Sequence, residues 1–312
     1  IADPMCGTAT MSESFAKRDM RVVASDELRF PILHAKARLL HNQKYDFSRV
    51  AKSYEDAINK LNDLKSIKRF FWNEYSDAGI PTNGAKPRKY FTSNNAAKID
   101  AIRLTLREWR QLGLPGICCD LLLHDLILAV NDVANITGTY GYYRATWNKS
   151  CLNDLFLQTS TPIHYTTEHT VIQGKVELTA SQLEVDAVYL DPPYTKRQYG
   201  GNYHILETIA QEDYPEPVGE GGLRDWYPQS SDYCSKRRVR GALKKTIDQI
   251  KSNWIFLSYS EDGLIPSKEM LDFLSSYGPT ERLTTPIERF SSNGGGKRGL
   301  VHEHLYIIEK KI

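Results

Sequence analysis

Short apolar runs separated by amphipathic segments predict a mainly parallel sheet covered by helices. Residues 185–190 are nearly all apolar, which is typical of a central parallel strand that is buried on both faces. Further runs at 21–25, 171–178 and 254–258 predict additional strands. Strands that alternate with helical patterns in this way indicate the α/β class.

The sequence starts with the end of a predicted strand. Ile1-Ala2-Asp3-Pro4 leads into a turn that contains Gly7, and a helix is predicted over 11–17. A strand, a glycine-containing turn and a helix in this order are typical of the first unit of a nucleotide-binding sheet. The second strand ends at Asp26-Glu27, and a helix over about 31–41 follows it.

The segment 42–150 differs from its flanks, because it is polar, rich in lysine and aromatic residues, and mainly helical in pattern. Apolar residues recur at helical spacing over 94–111, which predicts an amphipathic helix with Thr92 or Ser93 as its N-cap. Residues 116–135 predict a second, more buried helix.

The end of the sequence predicts a β-hairpin with strands over 281–290 and 300–309 and a glycine-rich tip. One domain interrupted by another explains the order of these segments. We therefore expect residues 1–41 and 151–312 to form one domain and residues 42–150 to form an insertion.

Composition excludes membrane and disulfide-rich classes. The 312 residues are 41% hydrophobic and 25% charged, and no apolar stretch reaches the ~18 residues that a membrane span needs. The start lacks the basic and apolar regions of a signal peptide. The five cysteines form no C-x-x-C pair, so we interpret them as reduced packing residues of a cytosolic protein.

Charge adds information through its distribution, since the net charge is only +2. Basic clusters fall in presumed loops at 86–89, 236–240 and 294–298. Aromatic residues accompany them: Tyr90, Trp226, Tyr227 and Tyr233. Cations with interleaved aromatics suit a phosphate backbone with bases to stack on, but solvated surface explains the charges equally well.

The sequence Asp191-Pro192-Pro193-Tyr194 follows the predicted central strand at its carboxyl end, where open α/β sheets bind ligands. Two prolines remove two backbone donors and leave carbonyls available as acceptors. An aspartate beside such a carbonyl suits an exocyclic amino group, and the tyrosine offers a face for an aromatic heterocycle. Two acceptors that draw the amine hydrogens out of the ring plane increase its nucleophilicity toward an electrophilic methyl group.

These residues resemble the S-adenosylmethionine-dependent adenine-N6 DNA methyltransferases of the alpha group, whose target-recognition region lies between the cofactor motifs and the catalytic motif. The block from Asp191 to Glu207 looks like that of the Dam- and FokI-type bacterial modification enzymes. Further matching segments are Tyr90–Thr92, Asn95–Arg103, Gly221–Arg224, Ser231–Cys234, Ser258–Ser260 and 289–308. The resemblance implies a Rossmann-like methyltransferase sheet with a C-terminal β-hairpin and an inserted, mainly helical target-recognition region.

The resemblance assigns the catalytic residues. Asp191 and the carbonyl of Pro192 would hold the adenine N6 amino group, Pro193 completes the motif, and Tyr194 would stack on the base. The base must leave the duplex for this, because N6 is otherwise paired and stacked. Residues just downstream would shape the pocket or contact DNA, with plain packing as an equal alternative: Arg197, Gln198, Tyr199, Asn202, Tyr203 and His204.

The resemblance also assigns a site for S-adenosylmethionine, with S-adenosylhomocysteine as the product. The turn against the methionine part would consist of Asp3, Pro4, Gly7 and Thr8, and Asp191 would also contribute to cofactor binding. Asp26 follows Gly7 by 19 residues and is the candidate acid for the ribose hydroxyls, with Glu27 as its competitor.

Three departures from the family pattern stand out. Ala9 occupies the place of a second small glycine, and Lys175 occupies the usual acidic position near the cofactor adenine, where Glu177 is the alternative. The family segment that closes over the cofactor would precede Ile1, so we expect residues beyond this sequence, another segment or a partner to supply that wall.

The resemblance implies a bacterial, cytoplasmic enzyme that methylates adenine in double-stranded DNA as part of restriction-modification or another antiviral defence system. Its potential partner is a restriction endonuclease or another defence subunit. We expect neither a metal ion nor a membrane to be involved. Expected DNA contacts, besides those beside the catalytic motif, are Lys86, Arg88, Lys89, Arg103, Arg144, Arg237, Lys297 and Arg298. Alternatives are a DNA-binding subunit with a decayed or partner-completed cofactor site, a methyltransferase acting on RNA or protein nitrogen, and an enzyme of the cytosine-N4 type.

Overall fold

Seven strands form one mixed sheet in the computed structural model, which describes residues 1–40, 45–161, 163–288 and 299–311. The strands are β1 (Ala2–Asp3), β2 (Val23–Asp26), β3 (Thr170–Gln173), β4 (Ala187–Leu190), β5 (Trp254–Ser260), β6 (Thr280–Glu288) and β7 (Leu300–Glu309). Their order in the sheet is β3-β2-β1-β4-β5-β7-β6. The first five strands are parallel, and β7 runs antiparallel between β5 and β6.

Helices account for most of the remaining regular structure. They are α1 (Thr10–Ala16), α2 (Arg29–Leu39), α3 (Tyr54–Asn62), α4 (Phe70–Tyr75), α5 (Ser93–Gln111), α6 (Gly116–Val133), α7 (Val176–Thr179), α8 (Tyr199–Asn202), α9 (His204–Gln211), α10 (Val239–Gln249) and α11 (Ser267–Ser275). The cap of α5 is Thr92, whose side chain accepts a hydrogen bond from the Asn95 N–H at 3.2 Å. This geometry decides between the two caps that the sequence allowed.

The strand order reverses between β1 and β4. Because β1 pairs with β2 on one side and with β4 on the other, the chain crosses the sheet in opposite directions from this point. Ligands of open α/β sheets bind at the carboxyl ends of the strands at such a switch point. The predicted α/β class and the antiparallel pairing of the two closing strands are confirmed, whereas the predicted glycine-rich tip at 294–298 lies outside the described residues. The topology is consistent with a Rossmann-like methyltransferase fold.

The core of the sheet explains why these segments become strands. Val188 and Leu190 of β4 and Ile255 and Leu257 of β5 are fully buried, in one apolar cluster with residues of α10 and α11. The predicted strand 171–178 is shorter, because it ends at Gln173 and its remainder forms α7.

The chain divides into two compact units. Unit 1 contains residues 1–40, 164–199 and 229–312, and unit 2 contains residues 41–163 and 200–228. Unit 2 thus includes two segments, 151–163 and 200–228, that the sequence grouped with the sheet. The assignment of the insertion to target recognition stays a prediction.

Side-chain bonds explain why both segments belong to the helical unit. The Asn95 side chain accepts a hydrogen bond from the Leu155 N–H at 2.9 Å and donates to the carbonyl of Asn153 at 2.8 Å. Arg103 on α5 donates to the carbonyls of Thr208 and Asp213, at 3.3 and 2.7 Å. These bonds join residues far apart in sequence, so local periodicity does not reveal them.

Two further expectations concern cysteines and membranes. The five cysteines lie among the described residues and are all buried, as expected of packing residues. In the described ranges, no helix is long and apolar enough to cross a membrane.

A buried ion pair organises one side of unit 2. Arg88 is 0% exposed, and its guanidinium lies 2.8 Å from the Glu74 carboxylate. The same guanidinium donates to the Glu220 and Gly219 carbonyls at 2.9 and 3.2 Å and to the Asn83 side chain at 2.8 Å. Arg88 therefore joins the 74–88 region to the 219–220 loop.

We predict that Arg88→Ala lowers the free energy of unfolding by about 3–5 kcal/mol, because it leaves the Glu74 carboxylate buried without its partner. Urea unfolding followed by circular dichroism measures this. The neighbouring exposed Lys86→Ala is the control, with a change within about 0.5 kcal/mol. Equal stability of the two variants would contradict a structural role for Arg88.

Candidate active site

The loop between β1 and α1, residues 4–9, lies at the carboxyl end of the sheet. The Cys6 N–H donates to the Ser25 carbonyl at 3.0 Å, and the Ala9 N–H donates to the Cys6 carbonyl at 2.7 Å. Gly7 has a φ of 51°, and no atom lies within 4 Å of the place where its Cβ would be. A ligand therefore has access to the backbone at Gly7 without a side chain in between.

Ala9 shows how the chain manages without a second glycine. Its φ of 59° is left-handed, which costs a non-glycine residue about 1–2 kcal/mol. Its methyl group is fully buried in the apolar cluster beneath the loop, and this burial offsets part of that strain.

Asp3 is a buried acid beneath this loop. Its Oδ2 accepts a hydrogen bond from the Ser12 hydroxyl at 2.6 Å, whereas its Oδ1 has no hydrogen-bond partner among the described residues. Burial raises the pKa of Asp3 to about 7, and the nearby Asp191 and Asp26 carboxylates add to this rise. An acceptor that is buried and unsatisfied suits a ligand that brings a hydrogen-bond donor.

Asp26 ends β2 and holds the loop. Its Oδ2 accepts from the Gly7 N–H at 3.1 Å, and its Oδ1 accepts from the Leu28 N–H at 3.0 Å. Glu27 lies 3.2 Å from the Lys175 ammonium group. Lys175 thus places a cation beside Glu27 where the family pattern has an acid, and Glu177 lies half-buried in the first turn of α7.

Asp191 follows directly after β4. It is exposed at the end of the sheet, while Pro192 is buried and Tyr194 is half-buried. Surrounding protein raises the pKa of Asp191 to about 6, and the Glu303 carboxylate of β7 adds to this rise. Glu303 accepts a hydrogen bond from Ser260.

The strand register places Asp3 and Asp26 on one face of the sheet. Asp3 pairs with Ala24, and Asp26 lies two residues beyond Ala24. Because side chains alternate along a strand, both acids point to the same side.

The same alternation brings Asp191 and Glu303 to that face. Ala2 pairs with Val188, so Tyr189 shares the face of Asp3, and Asp191 lies two residues further. Ser260 pairs with Glu303 on the other side of β5. Carboxylates from β1, β2, the end of β4 and β7 therefore gather along one edge, where each disfavours the charge of its neighbours.

The loop after Tyr194 is attached at both ends. The Leu264 N–H donates to the Tyr194 carbonyl at 3.0 Å. The Gln198 side chain accepts from the Ser231 N–H at 2.8 Å and donates to the Ser231 carbonyl at 3.1 Å. The Cys234 thiol donates to the Arg197 carbonyl at 3.2 Å. These bonds leave Arg197 and the 41%-exposed Tyr199 at the surface.

Comparison with known proteins agrees with this geometry. A family model described as D12 class N6 adenine-specific DNA methyltransferase matches residues 1–270. The chain belongs to this family. The resemblance on which the sequence analysis relied is thereby confirmed.

Similar proteins include two for which the match covers 99% of this chain. It is 35% identical to Type II methyltransferase M.FokI from Planomicrobium okeanokoites and 30% identical to Modification methylase StsI from Streptococcus sanguinis. The chain spans about half of these relatives, 48% and 47% of their lengths. It covers 90% of Type II methyltransferase M.NlaIII from Neisseria lactamica, at 28% identity.

The residues present fit the S-adenosylmethionine that this family implies. That molecule carries a sulfonium and an ammonium group, and at the end of β1 the buried Asp3 carboxyl has one oxygen, Oδ1, without a hydrogen-bond partner among the described residues. The open space above Gly7 leaves room for its chain. Asp3, Gly7 and Asp26 with Glu27 are therefore the residues that would hold it. The Pro4 carbonyl accepts a long hydrogen bond from the Ser25 hydroxyl at 3.4 Å, and the Thr8 and Thr10 hydroxyls lie 3.1 Å apart.

Three of the predicted DNA contacts of unit 2 are corrected by the structure. Arg88 is buried in its ion pair with Glu74, and Arg103 is 4% exposed and packs over the Phe71 ring at 4.8 Å. His204 is fully buried beside the Tyr140 carbonyl at 3.0 Å, and burial lowers its pKa to about 3. Side chains enclosed in this way do not reach DNA.

The other predicted DNA contacts remain candidates where the structure describes them. Lys86 and Arg237 are exposed, and Lys89, Arg144 and Asn202 are half-buried. Lys297 and Arg298 lie outside the described residues.

Sequence reasoning missed a hollow of about 600 Å³ on unit 2. Lys68, Arg69, Trp72 and Tyr214 belong to its lining, with the Lys68 ammonium 4.5 Å from the centre of the Trp72 ring. The signal was present, since a basic pair precedes three consecutive aromatic residues at 70–72. Glu303 was also missed, because nothing in its local sequence connects it with Asp191.

We predict that Asp3→Asn stabilises the protein without cofactor. A carboxyl whose pKa rises from 3.8 to about 7 on folding destabilises the folded state increasingly from pH 4 to pH 7. The free energy of unfolding of Asp3→Asn should therefore exceed that of the wild type by an amount that grows with pH and levels off above pH 7. This difference should reach a few kcal/mol, since each pKa unit corresponds to about 1.36 kcal/mol.

Urea unfolding of wild type and Asp3→Asn at pH 5.5 and pH 8 measures this gain. Calorimetric titration with S-adenosylmethionine should show weaker binding by the same variant. A pH-independent difference in stability would contradict the raised pKa of Asp3.

Proposed function

We propose that this protein transfers a methyl group from S-adenosylmethionine to the N6 amino group of an adenine in double-stranded DNA. One observation carries the proposal: Asp191-Pro192-Pro193-Tyr194 follows β4 at the switch point, on the same face as the Asp3 and Asp26 carboxylates. The acceptors for an amine thus lie beside the residues that suit a cationic cofactor.

The roles of the protein groups follow from their positions. With the adenine extruded from the duplex, ionised Asp191 accepts a hydrogen bond from N6, and the Pro192 carbonyl accepts the second. Tyr194 stacks on the base. When bound, S-adenosylmethionine would supply the electrophilic methyl group, and its remainder would leave as S-adenosylhomocysteine. As the N6–methyl bond forms, an Asp191 oxygen accepts the N6 proton, for which a pKa of about 6 is well placed.

The biological setting is part of the proposal. Two relatives are called Type II methyltransferase, and another is called a modification methylase. We extend this to a site-specific enzyme of a bacterial restriction-modification system, which acts in the cytoplasm beside a restriction endonuclease. Unit 2 is the target-recognition region, because its exposed lysines and aromatic side chains suit a duplex.

Asp191→Ala tests the chemistry. We expect the rate at which a radiolabelled methyl group is transferred to duplex DNA to fall by about 10²–10⁴-fold, because the adenine amine loses its hydrogen-bond acceptor. Duplex binding, measured by fluorescence anisotropy, should persist. Transfer to RNA or protein and none to DNA would refute the proposed substrate, and cofactor-free duplex binding alone would favour a non-catalytic subunit.

The pH profile tests the electrostatics of the same carboxylate. Because Asp191 must be ionised, activity should fall as pH decreases through about 6. Glu303→Gln removes a like charge and should lower this midpoint by up to about one pH unit. An unchanged midpoint in Glu303→Gln would show that Glu303 does not influence Asp191.

Lys86→Ala and Lys89→Ala test the recognition surface. Each should weaken binding to duplexes of all sequences alike. Each should also make the dependence of the binding constant on salt concentration less steep, by the release of about one counterion. Lys268→Ala, an exposed substitution on α11 of unit 1, is the control. A change confined to one target sequence would instead identify the altered lysine as a base-reading residue.

A further inference from the structure

The end of β5 and the segment that follows it hold Tyr194 in two ways. Leu264 donates its N–H to the Tyr194 carbonyl at 3.0 Å. The Tyr194 ring meets the Tyr259 ring edge-on, with centroids 6.2 Å apart and planes at 69°. One short stretch of chain therefore contacts both the backbone and the ring of the catalytic tyrosine.

Tyr259 is itself fixed. It is 1% exposed in the apolar cluster of unit 1, and its hydroxyl accepts a long hydrogen bond from the Ile265 N–H at 3.4 Å. In an edge-on contact, Tyr259 covers at most one face of the Tyr194 ring. The contact thus restrains the tyrosine ring without covering both of its faces.

Gly263 allows this arrangement through its size. A Cβ at this position would lie 2.8 Å from Cδ1 and Cζ of Tyr259 and closer still to Cε1. Its backbone lies outside the left-handed region, so the glycine serves the close approach rather than an unusual conformation. The Gly263 N–H closes the turn by donating to the Ser260 carbonyl at 2.9 Å.

We propose that Tyr259 and Gly263 are positioning residues that set the orientation of the Tyr194 ring against the extruded adenine. Gly263 lets the Tyr259 ring lie against the turn, and the Tyr259 ring then supports Tyr194. Their use in catalysis rests on the proposed function, whereas their effect on the Tyr194 ring does not. Asp191 and the cofactor-binding residues take no part in this chain of contacts.

The first test measures the ring without any reaction. The full chain is labelled with 3-fluorotyrosine, and the Tyr194 signal is assigned by its loss in Tyr194→Phe. Gly263→Ala and Tyr259→Leu should broaden or split this fluorine signal, while Tyr259→Phe, which keeps the ring, should leave a single narrow line. An unchanged Tyr194 signal in Gly263→Ala and Tyr259→Leu would overturn the proposal.

The second test measures the reaction. A misplacement of about 1 Å costs on the order of 10²-fold in rate, so Gly263→Ala and Tyr259→Leu should lower kcat by about 10- to 100-fold. Binding of S-adenosylmethionine and the acid limb of the pH profile should not change. Tyr259→Phe should restore kcat to within about threefold. Gly241→Ala is the matched control, because a Cβ there meets open space on α10.

A double-mutant cycle separates positioning from general damage to the core. In a Tyr194→Ala background, Tyr259→Leu should have almost no further effect on kcat, because the Tyr194 ring through which Tyr259 acts is absent. Additive effects would overturn positioning through Tyr194. An inactive wild type would refute the proposed function alone, and the fluorine spectra would then still decide whether Tyr259 and Gly263 hold the ring.

Discussion

The enclosure of several carboxylates close together at one edge of the sheet is the constraint on which the active site depends. Asp3, Asp26, Asp191 and Glu303 come from different strands, and the alternation of side chains brings them to one face. Burial raises the pKa of Asp3 to about 7, surrounding protein raises the pKa of Asp191 to about 6, and neighbouring carboxylates add to both rises. The protein without ligand is destabilised by this arrangement, and a cationic ligand would relieve it. Strain of this kind is expected where a site is organised for binding rather than for stability.

The rest of unit 1 keeps these groups in place. Asp26 binds the N–H groups of Gly7 and Leu28, Ser12 bonds Asp3, and Gln198 bonds the backbone of Ser231. Unit 2 satisfies its buried charges differently. Arg88 has Glu74 as its ionic partner, and Arg103 has carbonyl partners and aromatic rings. In unit 1, the buried Asp3 carboxyl, whose Oδ1 has no hydrogen-bond partner among the described residues, indicates the ligand site.

Much of the sheet could be predicted from the sequence, because its strands are short apolar runs. The Gly7 turn and the Asp191–Tyr194 motif also mark the ends of two of these strands. The helix α5 was likewise visible in local periodicity, whereas its cap at Thr92 was one of two caps that the sequence allowed. The sequence did not reveal that residues 200–228 belong to the helical unit, because hydrogen bonds such as the one from Arg103 to the Asp213 carbonyl join positions far apart in sequence. Arg88 lies in a basic cluster that looks like surface, and its burial is explained by the Glu74 carboxylate and by the carbonyls of Gly219 and Glu220. The choice between Asp26 and Glu27 stays open, because the structure gives each acid a partner.

The account makes Asp191 the acceptor for an adenine amine in DNA, and sequencing tests this most directly. DNA from cells that express the chain, and from cells that express Asp191→Ala, would be sequenced by a method that detects methylated bases. The account predicts N6-methyladenine at one recurring short sequence with the wild-type chain and its absence with the variant. Methylation of cytosine, or identical methylation with both chains, would contradict it.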